Sequence, residues 1–206
     1  MHVSCRGDPS AIDGLTAAGQ LQITASHEFI EAATDPYPAT SPGVVLSNAN
    51  TDPWGQVGGE VGDLCAYAPA VAQGDYLFTS VFSDRSAAAG DTPCTPFDGA
   101  YYSVSATPGT MQVVRAGQSV TFTITGWSTR STPPWNLYAD AFPPLYLTPF
   151  TPEITLARDT IANGQTTTLT VTVPAGTPSQ SGTLVYVGSF QNRANITAAL
   201  LGVYVP

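Results

Sequence analysis

The chain has 206 residues, of which 43% are hydrophobic and 10% charged, well below the roughly 25% charged of an average globular domain. This length suffices for one or two domains with at least one buried core. The net charge is −9 and all six basic residues are arginine, a balance that repels a phosphate backbone and excludes nucleic-acid binding. No run approaches the ~18 consecutive apolar residues of a membrane-spanning helix, so a membrane span is excluded as well.

The charge is unevenly distributed along the chain. Residues 1–98 hold twelve acids and two arginines, a net charge of −10, whereas residues 99–206 hold three acids and four arginines, a net charge of +1. This difference predicts two domains, of which the first has a use for carboxylates. For most of its aspartates, a solvated acidic surface is the preferred interpretation.

One helix is predicted in the first domain. Residues 16–34 contain no proline, are rich in alanine and repeat apolar side chains at helical spacing: Leu21, Ala25, Phe29 and Ala32. Asp35-Pro36 should end this helix, because the residue before a proline is disfavoured in the α region.

The rest of the first domain is predicted to be rich in loops. Proline, glycine, asparagine and serine favour irregular chain over residues 36–62. A strand is predicted over 76–82, and turn residues dominate 83–99.

From residue 99 onward, short runs alternate between apolar and polar residues. Val120, Phe122 and Ile124 alternate with threonines, and a similar alternation begins at Leu169. This period of two is typical of a sheet with one buried face. The number of such strands, seven or eight, and their spacing are typical of an immunoglobulin-like sandwich. The predicted fold class is therefore α+β: a small, loop-rich domain over 1–98 and an all-β immunoglobulin-like sandwich over 99–206.

Three cysteines indicate one disulfide and one cysteine left over. The absence of lysine, the few charges and the many small polar residues suggest an exported protein, in which a disulfide persists. Cys65 and Cys94 are the predicted pair, and Cys5 is then free or paired outside this chain. Met1 is followed by neither a basic nor an apolar leader region, so the chain is expected to be a mature or truncated piece of a secreted protein.

The predicted helix carries a metal-binding pattern, H-E-x-x-E, at residues 27–31. His27 and Glu31 are four residues apart and therefore project from one face, and imidazole and carboxylate are ordinary zinc ligands. Glu28 is placed like the glutamate that activates water in H-E-x-x-H peptidases. Glu31 replaces the second histidine of that motif, and this added anionic ligand keeps Ca²⁺ as the alternative to Zn²⁺.

A longer pattern gives the motif its context. The string S-H-E-x-x-E-x-x-T-D-P ends at Pro36 and is followed by Trp54 and by G-x-E-x-G-D-L-C, which ends at Cys65. Over about residues 20–100 the chain resembles secreted bacterial proteins related to the plant phosphate-induced protein 1 (EXORDIUM-like) family, which are considered metallopeptidase-like. The β-domain over 99–206 is similar, more weakly, to a domain often attached to such proteins.

The resemblance implies roles for individual residues. His27 and Glu31 would be metal ligands, Glu60 or Asp63 would supply a third ligand, and Glu28 would be a catalytic general base. Asp35 would orient His27 through its free ring nitrogen. The alternatives are solvated acids in a glycine-rich turn for Glu60 and Asp63, a turn cap for Asp35, and a surface ion pair without a ligand for His27 and Glu31.

The sequence thus predicts a secreted, metal-dependent hydrolase, and more specifically a peptidase with a protein or peptide substrate. The competing hypothesis is a non-catalytic extracellular binding or structural module, in which a metal braces the first domain and the sandwich contacts a surface ligand.

Overall fold

A computed structural model describes residues 15–38, 40–45, 60–66, 68–109, 111–144, 147–192 and 195–206. The described residues divide into two compact units: the first holds those up to Val45, those from 60 to Tyr101 and those within Gln191–Ile196, and the second holds those within Tyr102–Phe190 and Thr197–Pro206. Cys5 and Trp54, which were singled out in the sequence, lie outside the described residues.

The main helix, α1, runs from Ala17 to Thr34 in the first unit, which confirms the sequence-based prediction. Thr16 caps its start, because the threonine hydroxyl oxygen accepts a hydrogen bond from the Gly19 N–H at 3.1 Å. The helix ends directly before Asp35. Its buried residues are Gly19, Ile23 and Glu31.

The described part of the first unit also contains short elements: β1 (Val71–Gln73), β2 (Tyr76–Phe78), β3 (Val81–Phe82), α2 (Asp84–Ala88) and β4 (Cys94–Thr95). β1 pairs with β2 and β3 with β4, both antiparallel. The single strand predicted over 76–82 is therefore wrong, because the chain leaves β2 at Thr79-Ser80 before β3 begins. α2 lies where only turns were predicted; Ser83 caps it and alanines follow, a helix signal hidden among turn residues.

The apolar stripe of α1 is not its buried face. Leu21 and Phe29 are 70% and 75% exposed. On the side that faces β2, two polar side chains of α1 accept backbone hydrogen bonds: Gln22 Oε1 from the Leu77 N–H at 3.0 Å, and Ser26 Oγ from the Thr79 N–H, just past β2, at 2.9 Å. The helical spacing of apolar residues thus predicted the helix correctly but did not predict which of its faces is buried.

The second unit is built of two sheets. Its strands are β5 (Tyr102–Thr107), β6 (Gln112–Val113), β7 (Ser119–Ser128), β8 (Trp135–Phe142), β9 (Thr148–Pro149), β10 (Glu153–Leu156), β11 (Thr160–Ile161), β12 (Thr166–Thr172), β13 (Ser181–Asn192) and β14 (Asn195–Val205). One sheet has the order β10-β12-β7-β5, and the other the order β11-β8-β13-β14-β6, with β9 also paired to β13. Seven of these strands have four or more residues.

The alternation of apolar residues with threonines sets the two faces of the first of these sheets. Phe122 lies opposite Leu169 in the pairing of β7 with β12, and both side chains are completely buried. On the opposite face, the hydroxyls of Thr121 and Thr170 lie 3.3 Å apart in an exposed cross-strand hydrogen bond. The predicted period of two is confirmed.

One hydrophobic core fills the second unit. It takes side chains from both sheets, among them Phe122 and Leu169 from one and Trp135, Val187 and Leu201 from the other. Two sheets that share a core in this way form a sandwich-like arrangement. The molecule is therefore mostly β with one main helix, as the coarse fold class predicted. Among the described helices, none is long and apolar enough to cross a membrane.

Candidate metal centre

Two elements of the first unit bring the candidate metal ligands together. His27 and Glu31 lie one helical turn apart on α1, so their side chains leave the helix on the same side. Asp63 begins a single 3₁₀ turn, Asp63–Cys65, which follows Gly62. These three residues are a group whose ligand atoms all lie within 4.8 Å of one another.

The distances within the group suit one metal ion. His27 Nε2 lies 2.9 Å from Glu31 Oε1 and 3.5 Å from Asp63 Oδ1. Two bonds of about 2.1 Å at a tetrahedral angle separate their ligand atoms by about 3.4 Å, so small side-chain movements would bring the three atoms into one coordination sphere. The group offers one nitrogen and two carboxylates to a cation.

Glu31 is the unusual member of the group, because its carboxylate is buried. The residue is only 6% exposed, and its Oε1 atom has no hydrogen-bond partner despite its closeness to the imidazole. A buried carboxylate oxygen without a partner is costly, and a bound cation would remove this cost. Glu31 therefore fits a metal site better than a simple ion pair.

Gly62 leaves the space that the close contact between Glu31 and His27 needs. A β-carbon at this position would lie 2.7 Å from Glu31 Oε1 and 3.0 Å from His27 Nδ1. No side chain larger than hydrogen fits there without displacing these two groups. Gly62 belongs to the G-x-E-x-G-D-L-C pattern, but no role was predicted for it; the signal was a glycine directly before a candidate ligand, where the backbone can approach other groups closely.

The turn that carries Asp63 is covalently fixed. Cys65 forms a disulfide with Cys94 of β4, which confirms the predicted pairing. Both cysteines are buried, with exposed fractions of 1% and 0%. The disulfide thus attaches the ligand turn to the β3–β4 pair.

The remaining predicted site residues lie around this group. Glu28 and Glu60 are partly buried, and both appear among the charges that act on Glu31. Of the two acids considered as the third ligand, Asp63 belongs to the three-residue group. A ligand role for Glu60 and a catalytic role for Glu28 stay predictions.

Asp35 is buried at the end of α1. Its carboxylate accepts hydrogen bonds from the Thr34 hydroxyl at 2.6 Å and from the Val61 N–H at 3.1 Å. These contacts join the helix end to the loop before Asp63. The predicted contact of Asp35 with the ring of His27 stays a prediction.

The acidic surroundings shift the protonation equilibria of the site. The hydrogen bond to Asp63 raises the pKa of His27 above its ordinary value, with burial opposing and the charge of Glu31 assisting. Burial raises the pKa of Glu31 to about 7, partly offset by attraction to His27. Burial, and then repulsion from Asp63, also raises the pKa of Glu60. Without a cation, Glu31 and Glu60 therefore keep their protons to a higher pH than ordinary glutamates do.

The metal-free protein should therefore lose stability as the pH rises. The folded-state pKa values of Glu31 and His27 are both raised, so their contribution is fully present below the unfolded-state values and is lost as the pH rises through the folded-state values, about 7 for Glu31. We expect the free energy of unfolding in chelator to fall by on the order of 1–2 kcal/mol from pH 5 to 8.5, after allowance for solvent screening. Urea unfolding measures this change.

Glu31→Gln serves as the matched variant for this measurement. Glutamine has nearly the shape of the protonated acid and does not ionise, so the fall with pH should be clearly smaller. An equally steep fall in the variant would show that Glu31 does not cause it.

An open apolar groove of about 420 Å³ lies on a different side of α1. It is lined by Ala25, Ser26, Phe29 and Ile30 of the helix, among others, and by the three residues of β2. His27 and Glu31 point away from these positions around the helix, so the groove is distinct from the candidate metal centre.

Comparison with known proteins adds no assignment to this site. No protein-family model and no curated protein matches the chain.

Proposed function

We propose that the chain binds one divalent metal ion through His27, Glu31 and Asp63 and is a secreted metal-dependent hydrolase. The observation that carries the metal site is the buried Glu31 Oε1 atom, which accepts no hydrogen bond although it lies 2.9 Å from His27 Nε2. A neighbouring glycine leaves the space for this arrangement. The resemblance of residues 20–100 to metallopeptidase-like secreted proteins and the Cys65–Cys94 disulfide support the wider assignment.

Zinc is the metal that we propose. Zn²⁺ accepts one imidazole and two carboxylates, and three protein ligands leave a fourth position open, as in catalytic zinc sites. Ca²⁺ instead takes six to eight oxygen ligands and has little use for an imidazole nitrogen. Calcium is therefore the second choice for the group His27, Glu31 and Asp63.

The reaction that fits these residues best is hydrolysis of a protein or peptide. A bound metal would supply the Lewis acidity that polarises a scissile carbonyl. Glu28 follows His27 on α1, and we propose that its carboxylate accepts a proton from the attacking water. His27, Glu31 and Asp63 would hold the metal beside it.

Replacing Glu28 with glutamine tests the catalytic part of the proposal. We expect turnover of a fluorogenic peptide mixture to fall about 10²–10⁴-fold, because the amide cannot accept the proton, while the zinc content stays unchanged. Glu153→Gln, a change at an exposed position on β10, is the control and should leave turnover unchanged. Unchanged turnover in Glu28→Gln would contradict the assignment of the base.

A non-catalytic module is the second candidate function. It is favoured by the position of Asp63 in a turn that a disulfide ties to β4, because a metal there would join α1 to this turn as a structural brace. In that case the second unit, which we propose to be immunoglobulin-like, would bind an extracellular surface ligand. His27→Ala would then lower the melting temperature of the first unit, and Glu28→Gln would change little.

A further inference from the structure

Asp35 is a buried carboxylate outside the group of candidate ligands. It is 2% exposed, although charged residues are rarely buried unless they are paired or hydrogen-bonded. One of its oxygens accepts from the Thr34 hydroxyl and the other from the Val61 N–H. Val61 is 26 residues from Asp35 in the sequence, so this hydrogen bond joins the end of α1 to a distant loop.

The two ends of this bond lie close to the candidate ligands. On the helix side, the Asp35 N–H donates to the carbonyl oxygen of Glu31 at 2.9 Å. On the loop side, Val61 directly precedes Gly62 and is two residues, at most about 7 Å along the backbone, from Asp63. A shift of Val61 would therefore move both the glycine that lies against Glu31 and the ligand that follows it.

A third segment lies against the same carboxylate. A β-carbon at Gly43 would lie 2.7 Å from Asp35 Oδ2, which is the oxygen that accepts from Val61, and 2.8 Å from the Val61 side chain. The backbone at Gly43 thus approaches the Asp35–Val61 bond closely. Only glycine keeps this bond undisturbed.

We infer that Asp35 is a positioning residue of the metal centre: by holding the Val61 N–H, it places Asp63 within reach of the cation that His27 and Glu31 bind. This inference rests on the proposed metal binding. In this role Asp35 positions the loop ligand Asp63, whereas the sequence-based expectation was that Asp35 orients the ring of His27. The Asp35 carboxylate itself does not contact the metal.

Zinc and cobalt titrations of the full chain test this inference. Asp35→Ala should weaken Zn²⁺ binding about 10–100-fold, the usual effect of losing a residue that orients a ligand. It should also change the visible absorption of the Co²⁺ form, because one carboxylate ligand is displaced. Asp35→Asn retains an oxygen that can accept from Val61 and should recover most of the affinity.

Thr34→Val is the matched control. It removes the hydrogen bonds that the Thr34 hydroxyl donates to the Asp35 carboxylate and to the Ile30 carbonyl but leaves the bond to Val61, so we expect a change of less than about threefold in Zn²⁺ affinity. In Gly43→Ala the Asp35 side chain is still present, but the new methyl group would disturb the hydrogen bond between Asp35 and Val61. This variant should therefore also weaken Zn²⁺ binding. It keeps the inference testable if Asp35→Ala does not fold.

Each outcome has a defined consequence. Wild-type affinity and an unchanged cobalt spectrum in folded Asp35→Ala would overturn the role of Asp35 and leave the metal site standing. If Asp35→Ala does not fold, wild-type affinity in Gly43→Ala would overturn it in the same way. A wild-type protein that binds neither Zn²⁺ nor Co²⁺ would overturn the proposed metal site together with this inference.

Discussion

Replacing Gly62 with alanine is expected to weaken zinc binding about 100-fold while leaving the fold intact. The new β-carbon would lie 2.7 Å from Glu31 Oε1, a distance that real contacts of this kind do not show. The tip of a glutamate side chain moves at little cost, so the protein should stay folded. The movement nevertheless takes a proposed ligand out of position, and calorimetric titration with Zn²⁺ measures the loss.

Gly176→Ala is the control for this substitution. A β-carbon at Gly176 would meet no heavy atom within 4 Å, so the same chemical change should alter neither zinc affinity nor stability. Equal zinc affinities for Gly62→Ala and the wild type would mean that Glu31 and His27 do not bind the metal as proposed. A fall in both variants would point to a general effect of the substitution.

The second large effect is expected from removing the disulfide. In the described part of the first unit, the buried apolar residues are few: Ile23, Leu64, Cys65, Ala68, Cys94 and Tyr101. A cross-link that closes a loop of 29 residues contributes about 3.6 kcal/mol in the chain-entropy model. For a unit with so small a core, this is a large share of the stability.

The double substitution Cys65→Ser with Cys94→Ser tests the role of the disulfide. We expect hydrogen exchange, followed by mass spectrometry, to show α1 opening with about 3.6 kcal/mol less free energy than in the wild type. Peptides from β7 and β12 serve as the internal control, because the core of the second unit contains neither cysteine. Unchanged protection of α1 would show that the first unit does not depend on the cross-link.

Local patterns in the sequence predicted much of the fold. The alternation around Phe122 and Leu169 is enforced wherever one face of a sheet is buried, so it identified the strands of the second unit. The span of α1 followed from the proline-free, alanine-rich run and from its stop at Asp35-Pro36. These signals arise from residues that are only a few positions apart, so they can be recognised in a single sequence.

Features that depend on distant segments were not predictable in this way. The exposure of Leu21 and Phe29 depends on which elements pack on α1, and helical spacing does not contain that information. The break at Thr79-Ser80 follows from the different partners of β2 and β3. The seven residues 76–82 contain no proline or glycine that would mark such a division.

The sequence likewise predicted one part of the candidate site and not the other. The four-residue spacing places His27 and Glu31 on one side of the helix, and this follows from helical geometry alone. The approach of Gly62 to Glu31, and the bond between Asp35 and Val61, arise because the loop folds back on the helix. The sequence identified the acids of this loop as candidates but could not show which of them reaches the imidazole.

The metal content of the purified protein tests the central claim most directly. Elemental analysis of the wild type and of His27→Ala, both purified without chelator, should give about one equivalent of zinc in the wild type and almost none in the variant. No bound metal in the wild type, or equal zinc in both proteins, would contradict a metal centre at His27, Glu31 and Asp63.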